Sequence, residues 1–228
     1  MDLWAVVPIK ELGRAKERLA PLLPPQQRRS LMLAMFEDVL TALASTPGLA
    51  GLTVVTVDPA ARRLAARYGA RLIEAGAREG HTGAVAAAAM LLAEEGRAGM
   101  LTLPGDIPLV TPAEITRLVA AHRPAPAFTI APSRDELGSN AVVCSPPNAV
   151  PLRFGEDSFF PHLQAAEGCG IRPTVLRLPG IALDVDTPED LAAFAALPSP
   201  TRARAFLAQN GMLHVHERVD APIGGHLA

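Results

Sequence analysis

The sequence predicts a single α/β domain built on a mostly parallel, doubly wound sheet. Short apolar runs alternate with helical patterns from the first residues onward, and such alternation requires crossover helices between parallel strands. Hydrophobic residues make up 49% of the 228 residues, which is enough to bury one sizeable core. In sheets of this kind ligands bind beyond the carboxyl ends of the strands, so we look for function there.

The first half of the chain supplies four predicted strands and the helices between them. The helix in "PPQQRRSLMLAMFEDVLTALAST" begins with proline and repeats apolar residues at helical spacing. The helix in "DPAARRLAARYG" has Asp58 as its N-cap, Pro59 at its first position and Gly69 at its end. We expect a loop and a helix in "GHTGAVAAAAMLLAEEG" and a further helix from Thr111. The four predicted strands are Leu3–Ile9, Leu52–Val57, "ARLIEA" and Met100–Leu103.

The loops after Ile9, Ala75 and Leu103 should lie at one edge of the sheet, because the strands before them run in the same direction. They define the region in which we search for binding residues.

The second half of the chain is less regular. Two apolar strands, "AFTIAPS" and "NAVVCSP", are joined by the polar loop "RDELGS". The stretch "RFGEDSFFPHLQAAEG" predicts a loop and a helix, "TVLRL" a strand, and "ALDVDTPEDLAAFAAL" a strand end that turns into a helix. We assign residues 1–198 to the domain and 199–228 to a C-terminal tail. In this tail "TRARAFLAQNG" suggests a helix, "MLHVHERVDAPIGGHLA" has only weak signals of structure, and no role is assigned.

Composition excludes several classes of function. The formal net charge is −2 with well-mixed signs and few aromatic residues, which argues against nucleic-acid binding. The apolar stretch "GAVAAAAMLLA" is too short to span a bilayer, and the start "MDLWAVVPIK" lacks a signal core. Cys144 and Cys169 match no disulfide framework, and Cys144 reads as a buried small hydrophobe. We therefore expect a soluble cytoplasmic protein without membrane association.

A cluster of cations follows the first predicted strand in "VVPIKELGRAKERLAPLL". Lys10, Arg14, Lys16 and Arg18 lie close together, and Gly13 permits a sharp turn between them. Cations beside exposed backbone N–H groups suit a triphosphate, and the position after the first strand favours that interpretation over a solvated basic loop. Neither the P-loop spacing nor the G-x-G-x-x-G fingerprint is present.

Carboxylates follow two other predicted strands. Asp106 comes after strand and glycine in "LTLPGDIPLVTP", and Asp184 and Asp186 bracket Val185 in "ALDVDTPEDL". Alternation along an extended chain points Asp184 and Asp186 to one side. Asp106 and Asp184 could share a hard cation such as Mg²⁺, which usually takes one or two carboxylates plus phosphate and water oxygens. The alternatives are that Asp106 caps a turn and that one of the paired aspartates is structural.

Other reactive side chains give weaker signals. His81 lies in a polar loop, and the remaining histidines, His162, His214, His216 and His226, show no metal-ligand spacing. Neither Ser145 nor Ser158 lies in a nucleophile elbow.

Four segments in this order resemble the CofC/FbiD guanylyltransferases: "VVPIKELGRAKERLAP", "LPGDIPLVTPAEI", "LGSNAVVCSP…RFGEDSFFPHL" and "DVDTPEDLAAF". The resemblance covers about Leu3 to Leu197 and implies a Rossmann-like nucleotidyltransferase fold of the nucleotide-diphospho-sugar transferase type. It implies transfer of GMP from GTP, with Mg²⁺, onto phosphoenolpyruvate, 2-phospho-L-lactate or 3-phospho-D-glycerate, with release of pyrophosphate, in coenzyme F-420 biosynthesis.

The resemblance also implies roles for individual residues. Lys16, Arg18, Asp106 and Asp184 would be catalytic, with Asp106 and Asp184 holding the metal, and Asn140, Gly155 and Ser158 would bind the acceptor acid. Relatives often have Thr in place of Asn140 and Leu-Asn in place of His81-Thr82. The residues implied to bind the nucleotide are Pro8, Lys10, Gly13, Lys16, Thr82, Gly83 and Asp106.

Alternatives to this function stay open. A nucleotidyltransferase of the molybdenum-cofactor or sugar-nucleotide type would use another acceptor, such as a pterin or a sugar. The Asp-x-Asp of "DVD" suggests a glycosyltransferase, but it comes late and runs directly into a helix cap. A nucleotide-binding regulator is the alternative without catalysis. For the oligomeric state, a homodimer is kept as a hypothesis.

Overall fold

The fold alternates strands and helices along most of its length. A computed structural model describes residues 2–155 and 157–213. Its strands are β1 (Leu3–Pro8), β2 (Leu49–Val55), β3 (Arg71–Ile73), β4 (Gly99–Thr102), β5 (Ala127–Pro132), β6 (Ser139–Ser145) and β7 (Thr174–Val175). Its α-helices are α1 (Pro25–Ala44), α2 (Pro59–Arg67), α3 (Gly80–Glu94), α4 (Pro112–Ala121), α5 (Phe159–Gly168), α6 (Pro179–Ala182), α7 (Pro188–Ala196) and α8 (Arg202–Gln209).

All described strands form one seven-stranded sheet in the order β3-β2-β1-β4-β6-β5-β7. The pairs β1–β2, β1–β4, β2–β3 and β5–β7 are parallel, whereas β6 runs antiparallel to both β4 and β5. The predicted mostly parallel sheet is therefore confirmed. After β3 the chain returns to the other side of β1, so a topological switch point lies between β1 and β4.

Helices cover both faces of the sheet, as predicted. In β1, Leu3, Ala5 and Val7 belong to the cluster that α1 and α4 complete, whereas Val6 belongs to the cluster on the opposite face with α3. In β6, Val143 faces the first side, and Val142 and Cys144 face a third cluster that includes α5 residues. Alternate residues thus enter separate cores, which is the burial expected of a central strand covered on both sides.

Helix caps follow the sequence signals closely. Asp58 accepts hydrogen bonds from Ala60 N at 2.8 Å and Ala61 N at 3.0 Å, which confirms it as the N-cap of α2. Gly69 ends that helix with φ +67°, a conformation that glycine adopts without steric cost. Asp58 also accepts from Leu12 N at 3.0 Å, so the same carboxylate ties the loop after β1 to α2.

Some boundaries differ from prediction. β2 begins at Leu49, before the predicted start at Leu52, and runs through Gly51, where a Cβ would collide with the ring of Trp4 on β1. "TVLRL" contributes only Thr174–Val175 to the sheet. The stretch around Asp184 is not a strand, although Val185 N donates to Asp106 O at 3.0 Å. A single backbone bond of this kind joins two loops without extending the sheet.

The beginning of the predicted tail packs on the domain. The helix expected there is α8, which lies along α1, and Ala203, Leu207 and Met212 are buried in the main core. Asp38 on α1 accepts from Arg202 N at 2.8 Å and Ala203 N at 2.9 Å, two N–H groups of the first turn of α8. The predictions for the rest of the tail, including His214, His216 and His226, lie outside the described residues.

Within residues 2–155 and 157–213, no helix combines the length and the apolar character that crossing a membrane requires.

Candidate active site

Two adjoining clefts open at the carboxyl edge of β1 and β4, beside the topological switch point. The smaller, of about 590 Å³, is lined by the loop from Pro8 to Arg18. The larger, of about 960 Å³, extends over the 133–140 segment and over Phe154, Gly155, Asp157 and Ser158 to Asp184. The loops expected at one edge of the sheet do meet here. The residues common to both clefts are Lys10, Arg18, His81, Pro104, Asp106 and Asp186.

Lys16 connects the loop after β1 with two of the aspartates. Its Nζ lies 2.5 Å from Asp106 Oδ2 and 3.3 Å from Asp186 Oδ1, and the residue is only 8% exposed. Burial opposes the charge of Lys16, but Asp106 and Asp186 outweigh that effect, so its pKa is raised and it stays protonated. The structure therefore brings the two predicted catalytic residues Lys16 and Asp106 into direct contact.

Lys16 also carries the unusual backbone of this loop. Its φ is 52° and its ψ 48°, the left-handed region that non-glycine residues rarely adopt. Gly13, predicted to allow the sharp turn, has a φ outside that region, lines neither cleft and lies in a short 3₁₀ helix, Leu12–Arg14. The left-handed residue of this loop is therefore Lys16 and not Gly13, and two carboxylates hold the Lys16 side chain there.

Asp106 and Asp184 are the two carboxylates of the site that a cation could bind. Asp106 Oδ1 is buried and has no hydrogen-bond partner within the described residues. Burial raises the pKa of Asp184, and the charge of Asp106 raises it further. No group of three or more potential protein ligands occurs in the described part of the chain. Two carboxylates are nevertheless a donor set that Mg²⁺ can use, because it accepts one or two carboxylates and takes phosphate and water oxygens for the rest.

The antiparallel direction of β6 places its first residues at this edge. Because β6 pairs with β4 through Thr102↔Val142, Ser139 and Asn140 lie beyond the carboxyl end of β4. The Asn140 amide Nδ2 donates to Ile181 O at 3.0 Å, Ala182 O at 3.2 Å and Asp184 Oδ1 at 3.0 Å. Both amide hydrogens are engaged by the protein, so the predicted donation from Asn140 to the acid is not supported. Asn140 instead fixes the orientation of Asp184.

Ser158 lies at the N-cap of α5 but makes no capping hydrogen bond through its side chain. Its Oγ donates to Ser139 Oγ at 3.2 Å, and Ser139 Oγ also lies 2.9 Å from His162 Nδ1. Ser139 and Ser158 both line the larger cleft, and His162, only 1% exposed, lies behind them. The predicted acceptor residue Ser158 is therefore at the cleft, where its hydroxyl proton is directed to a second serine.

Thr82 joins the two sides of the larger cleft. Its Oγ1 accepts from Phe154 N at 3.0 Å and donates to Phe154 O at 3.3 Å, while the His81 ring lies 4.4 Å from the Phe154 ring. His81 and Thr82 were expected in a loop, but α3 begins at Gly80, which places them in its first turn. Burial lowers the pKa of His81 to about 4; Asp106 opposes this shift and Lys10 adds to it. His81 is thus neutral near pH 7.

The remaining predicted residues divide between cleft and support. Pro8 and the exposed Lys10 line the smaller cleft, and Arg18 pairs with Asp186 at 3.4 Å. Gly155 lines the larger cleft, and an added Cβ would meet no atom within 4 Å. Gly83 lines neither cleft. It packs closely against Gly76, where an added Cβ would collide with the carbonyl oxygen of Gly83.

Sequence reasoning missed three members of the site. Asp186 was not among the predicted site residues, yet it contacts Lys16 and Arg18. The alternation in "DVD" had already placed it on the same side as Asp184 and was the signal for this role. Phe154 and Ser139 gave no signal of their own, since only their contacts with distant residues define them.

The fold and this site define a class of protein. The chain resembles a protein from Desulfovibrio desulfuricans described as a nucleotide-diphospho-sugar transferase, with a TM-score of 0.72, 19% identity and coverage of 95% of this chain and 98% of the other. It also resembles CMP:2-keto-3-deoxy-manno-octonic acid synthetase complexed with CTP, with a TM-score of 0.58, 15% identity and coverage of 92% and 100%. These similarities confirm the nucleotidyltransferase fold.

The particular family follows from sequence. Residues 3–220 match the family described as "Guanylyl transferase CofC like", and the chain belongs to that family. It is 40% identical over 199 residues to phosphoenolpyruvate guanylyltransferase of Rubrobacter xylanophilus, covering 86% of this chain and 95% of the relative. It is 37% identical over 196 residues to 3-phospho-D-glycerate guanylyltransferase of Colwellia psychrerythraea, covering 86% of this chain and 92% of the relative.

Proposed function

We propose that this protein joins GMP from GTP to a small phosphorylated carboxylic acid and releases pyrophosphate, a step of coenzyme F-420 biosynthesis. The observation that carries this proposal is the junction of the two clefts, where Lys16 bridges Asp106 and Asp186. Family membership supports the guanylyl transfer, and relatives named for phosphoenolpyruvate and 3-phospho-D-glycerate support an acid acceptor. We propose phosphoenolpyruvate, 2-phospho-L-lactate and 3-phospho-D-glycerate as the candidate acceptors.

The smaller cleft suits the triphosphate and the larger one the nucleoside and the acid. Lys10 and Arg18 line both clefts and can bind phosphate oxygens. Lys16 instead binds the carboxylates of Asp106 and Asp186. Asp106, Asp184 and Asp186 would otherwise repel a polyanion. Mg²⁺ bound by Asp106 and Asp184 would neutralise that charge and stabilise the departing pyrophosphate. Asp106 Oδ1, which has no hydrogen-bond partner in the part of the chain that the structure describes, and the raised pKa of Asp184 support this assignment.

The chemistry needs no protein base and no covalent intermediate. An oxygen of the acceptor phosphate is already anionic and attacks the α-phosphorus of GTP, while the bond from that phosphorus to the bridging oxygen breaks and pyrophosphate leaves. The residues of the chain therefore act by holding the two phosphates in line and by balancing charge. Lys16, fixed by two carboxylates, is oriented for this task before substrate arrives.

Pyrophosphate release tests the proposal. The protein is incubated with Mg²⁺, each of the four nucleoside triphosphates, and either one of the three candidate acids or a sugar phosphate as the acceptor. We expect release with GTP and at least one of the acids, and little release without acid. Release with CTP and a sugar acceptor would instead favour the sugar-nucleotide type of enzyme. Binding of GTP without turnover of any acceptor would favour a regulator.

A further inference from the structure

The orientation of His162 is determined by a backbone group. Arg153 N–H donates to His162 Nε2 at 2.9 Å, and a backbone N–H can only donate, so Nε2 carries the lone pair. Burial lowers the pKa of His162 to about 4, so the ring is neutral near pH 7 and its single proton is on Nδ1. The 2.9 Å contact between Nδ1 and Ser139 Oγ is therefore a hydrogen bond that His162 donates.

Ser139 Oγ accepts a second hydrogen bond, from Ser158 Oγ at 3.2 Å. A hydroxyl oxygen has two lone pairs and one proton, and here both lone pairs are used. Within the described residues, Ser139 donates its own proton to no protein group. The residue is 9% exposed, and it lines the larger cleft. The hydroxyl proton of Ser139 is therefore available to a group bound in the larger cleft.

We propose that Ser139 donates a hydrogen bond from its hydroxyl to an anionic oxygen of the acceptor acid, and that His162 is the positioning residue that directs this donor. The proposal rests on the proposed function for the identity of the acid. It moves the donor role from Asn140, whose amide holds Asp184, and from Ser158, whose hydroxyl holds Ser139. The ligand chemistry is that of a carboxylate or phosphate oxygen.

Ser139→Ala tests the donor directly. We expect the KM for the acid to rise about tenfold, as for one lost hydrogen bond to a charged group, while the KM for GTP changes less than about twofold. Ser158→Ala should raise the KM for the acid only about two- to threefold, because His162 still directs the Ser139 hydroxyl. Equal or reversed effects of the two substitutions on the acid would overturn the proposal.

Ser145→Ala is the matched control, on the same strand β6. Ser145 Oγ lies 3.0 Å from His122 Nε2, so the substitution removes a comparable serine–histidine contact. This contact is also buried, but it lies about 20 Å from Ser139 along β6. It should lower the free energy of unfolding without raising the KM for the acid. A similar rise of KM in both alanine variants would show that lost stability, and not a lost donor, is being measured.

His162 is tested by a conservative exchange. His162→Ala removes the Nδ1–H donor, and we expect it to raise the KM for the acid about as much as Ser139→Ala, with little effect on the KM for GTP. His162→Asn places an amide N–H near the position of Nδ1 and should recover part of the affinity. If His162→Ala left the acid KM unchanged in a folded protein, the positioning role would be refuted.

Direct binding separates this proposal from the proposed function. Calorimetric titration with phosphoenolpyruvate, and separately with inorganic phosphate, measures acid binding without turnover. If no acid supports pyrophosphate release but Ser139→Ala weakens binding about tenfold, the proposed function fails and the Ser139 site stands. If the wild type turns over an acid and Ser139→Ala binds it equally well, the Ser139 site fails and the proposed function stands. Absence of any binding and any turnover overturns both.

Discussion

Replacing Lys16 separates its two contributions, the charge and the strained backbone. Lys16 Nζ holds Asp106 at 2.5 Å and Asp186 at 3.3 Å, and its φ of 52° lies in the left-handed region. Lys16→Ala removes the ammonium group and keeps the strain, whereas Lys16→Gly removes both. Lys10→Ala removes an exposed cation from the same loop, one that forms no ion pair with a carboxylate among residues 2–155 and 157–213.

The structure sets the size of each effect. At an effective dielectric constant of about 20, a unit charge about 4 Å away contributes about 4 kcal/mol. Desolvation of the buried ammonium offsets part of this, so we expect about 2–3 kcal/mol of transition-state stabilisation to depend on Lys16. That corresponds to a fall in kcat/KM of about 30- to 150-fold in both Lys16 variants. The left-handed backbone should make Lys16→Gly more stable than Lys16→Ala by about 1 kcal/mol.

The assay combines steady-state pyrophosphate release with urea unfolding. Circular dichroism first establishes that each variant is folded, and kcat/KM is then measured for GTP and for the acid. Lys10→Ala should lose less than about fivefold. Equal kinetic losses in the Lys10 and Lys16 variants would refute the assignment of Lys16. Equal stability of the alanine and glycine variants would refute the argument from strain.

Three further predictions follow from the same site and core. Asp106→Asn and Asp184→Asn should each lower kcat/KM at least about 100-fold and raise the Mg²⁺ concentration required for activity, and normal turnover at low Mg²⁺ would contradict the metal assignment. Asp184→Asn should not lower the free energy of unfolding, because burial and the charge of Asp106 already oppose the charge of Asp184. Gly155→Val should project into the larger cleft and raise the KM for the acid at least about tenfold; an effect on GTP alone would reverse the two subsites. Burial lowers the pKa of His122 to about 4, below its value of 6.5 in the unfolded chain. The stability that neutral His122 contributes is therefore complete above pH 6.5 and is lost as the pH falls towards 4, by up to about 3 kcal/mol. His122→Gln should flatten this part of the curve of unfolding free energy against pH, and an unchanged slope would contradict it.

Local signals in the sequence were sufficient for the elements that local chemistry dictates. Asp58, Pro59 and Gly69 mark α2 because a cap, a fixed φ and a left-handed residue act within one helix. The meeting of Lys16 with Asp106 was also accessible, since it follows from the rule that parallel strands present their carboxyl ends at one edge.

Contacts between distant segments were beyond the sequence. The roles of Asn140 and Ser158 depend on which atoms their side chains meet, Asp184 in one case and Ser139 in the other. The antiparallel β6 that brings them to the cleft was not distinguishable by pattern from a parallel strand, because both are continuous apolar runs when buried on two faces. Gly13 was misleading for the same reason: a nearby glycine is the usual place for a sharp turn, but tertiary contacts moved that turn to Lys16.

The most direct test of the proposed reaction follows the oxygen atoms of the acceptor phosphate. The acid is labelled with ¹⁸O in its phosphate group, incubated with GTP, Mg²⁺ and the protein, and the products are analysed by mass spectrometry and ³¹P NMR. If the acceptor phosphate attacks the α-phosphorus, all of the label is retained in a new anhydride of the acid with GMP, and the pyrophosphate contains none. Formation of GDP and inorganic phosphate, or of pyrophosphate without this anhydride, would contradict the proposed guanylyl transfer.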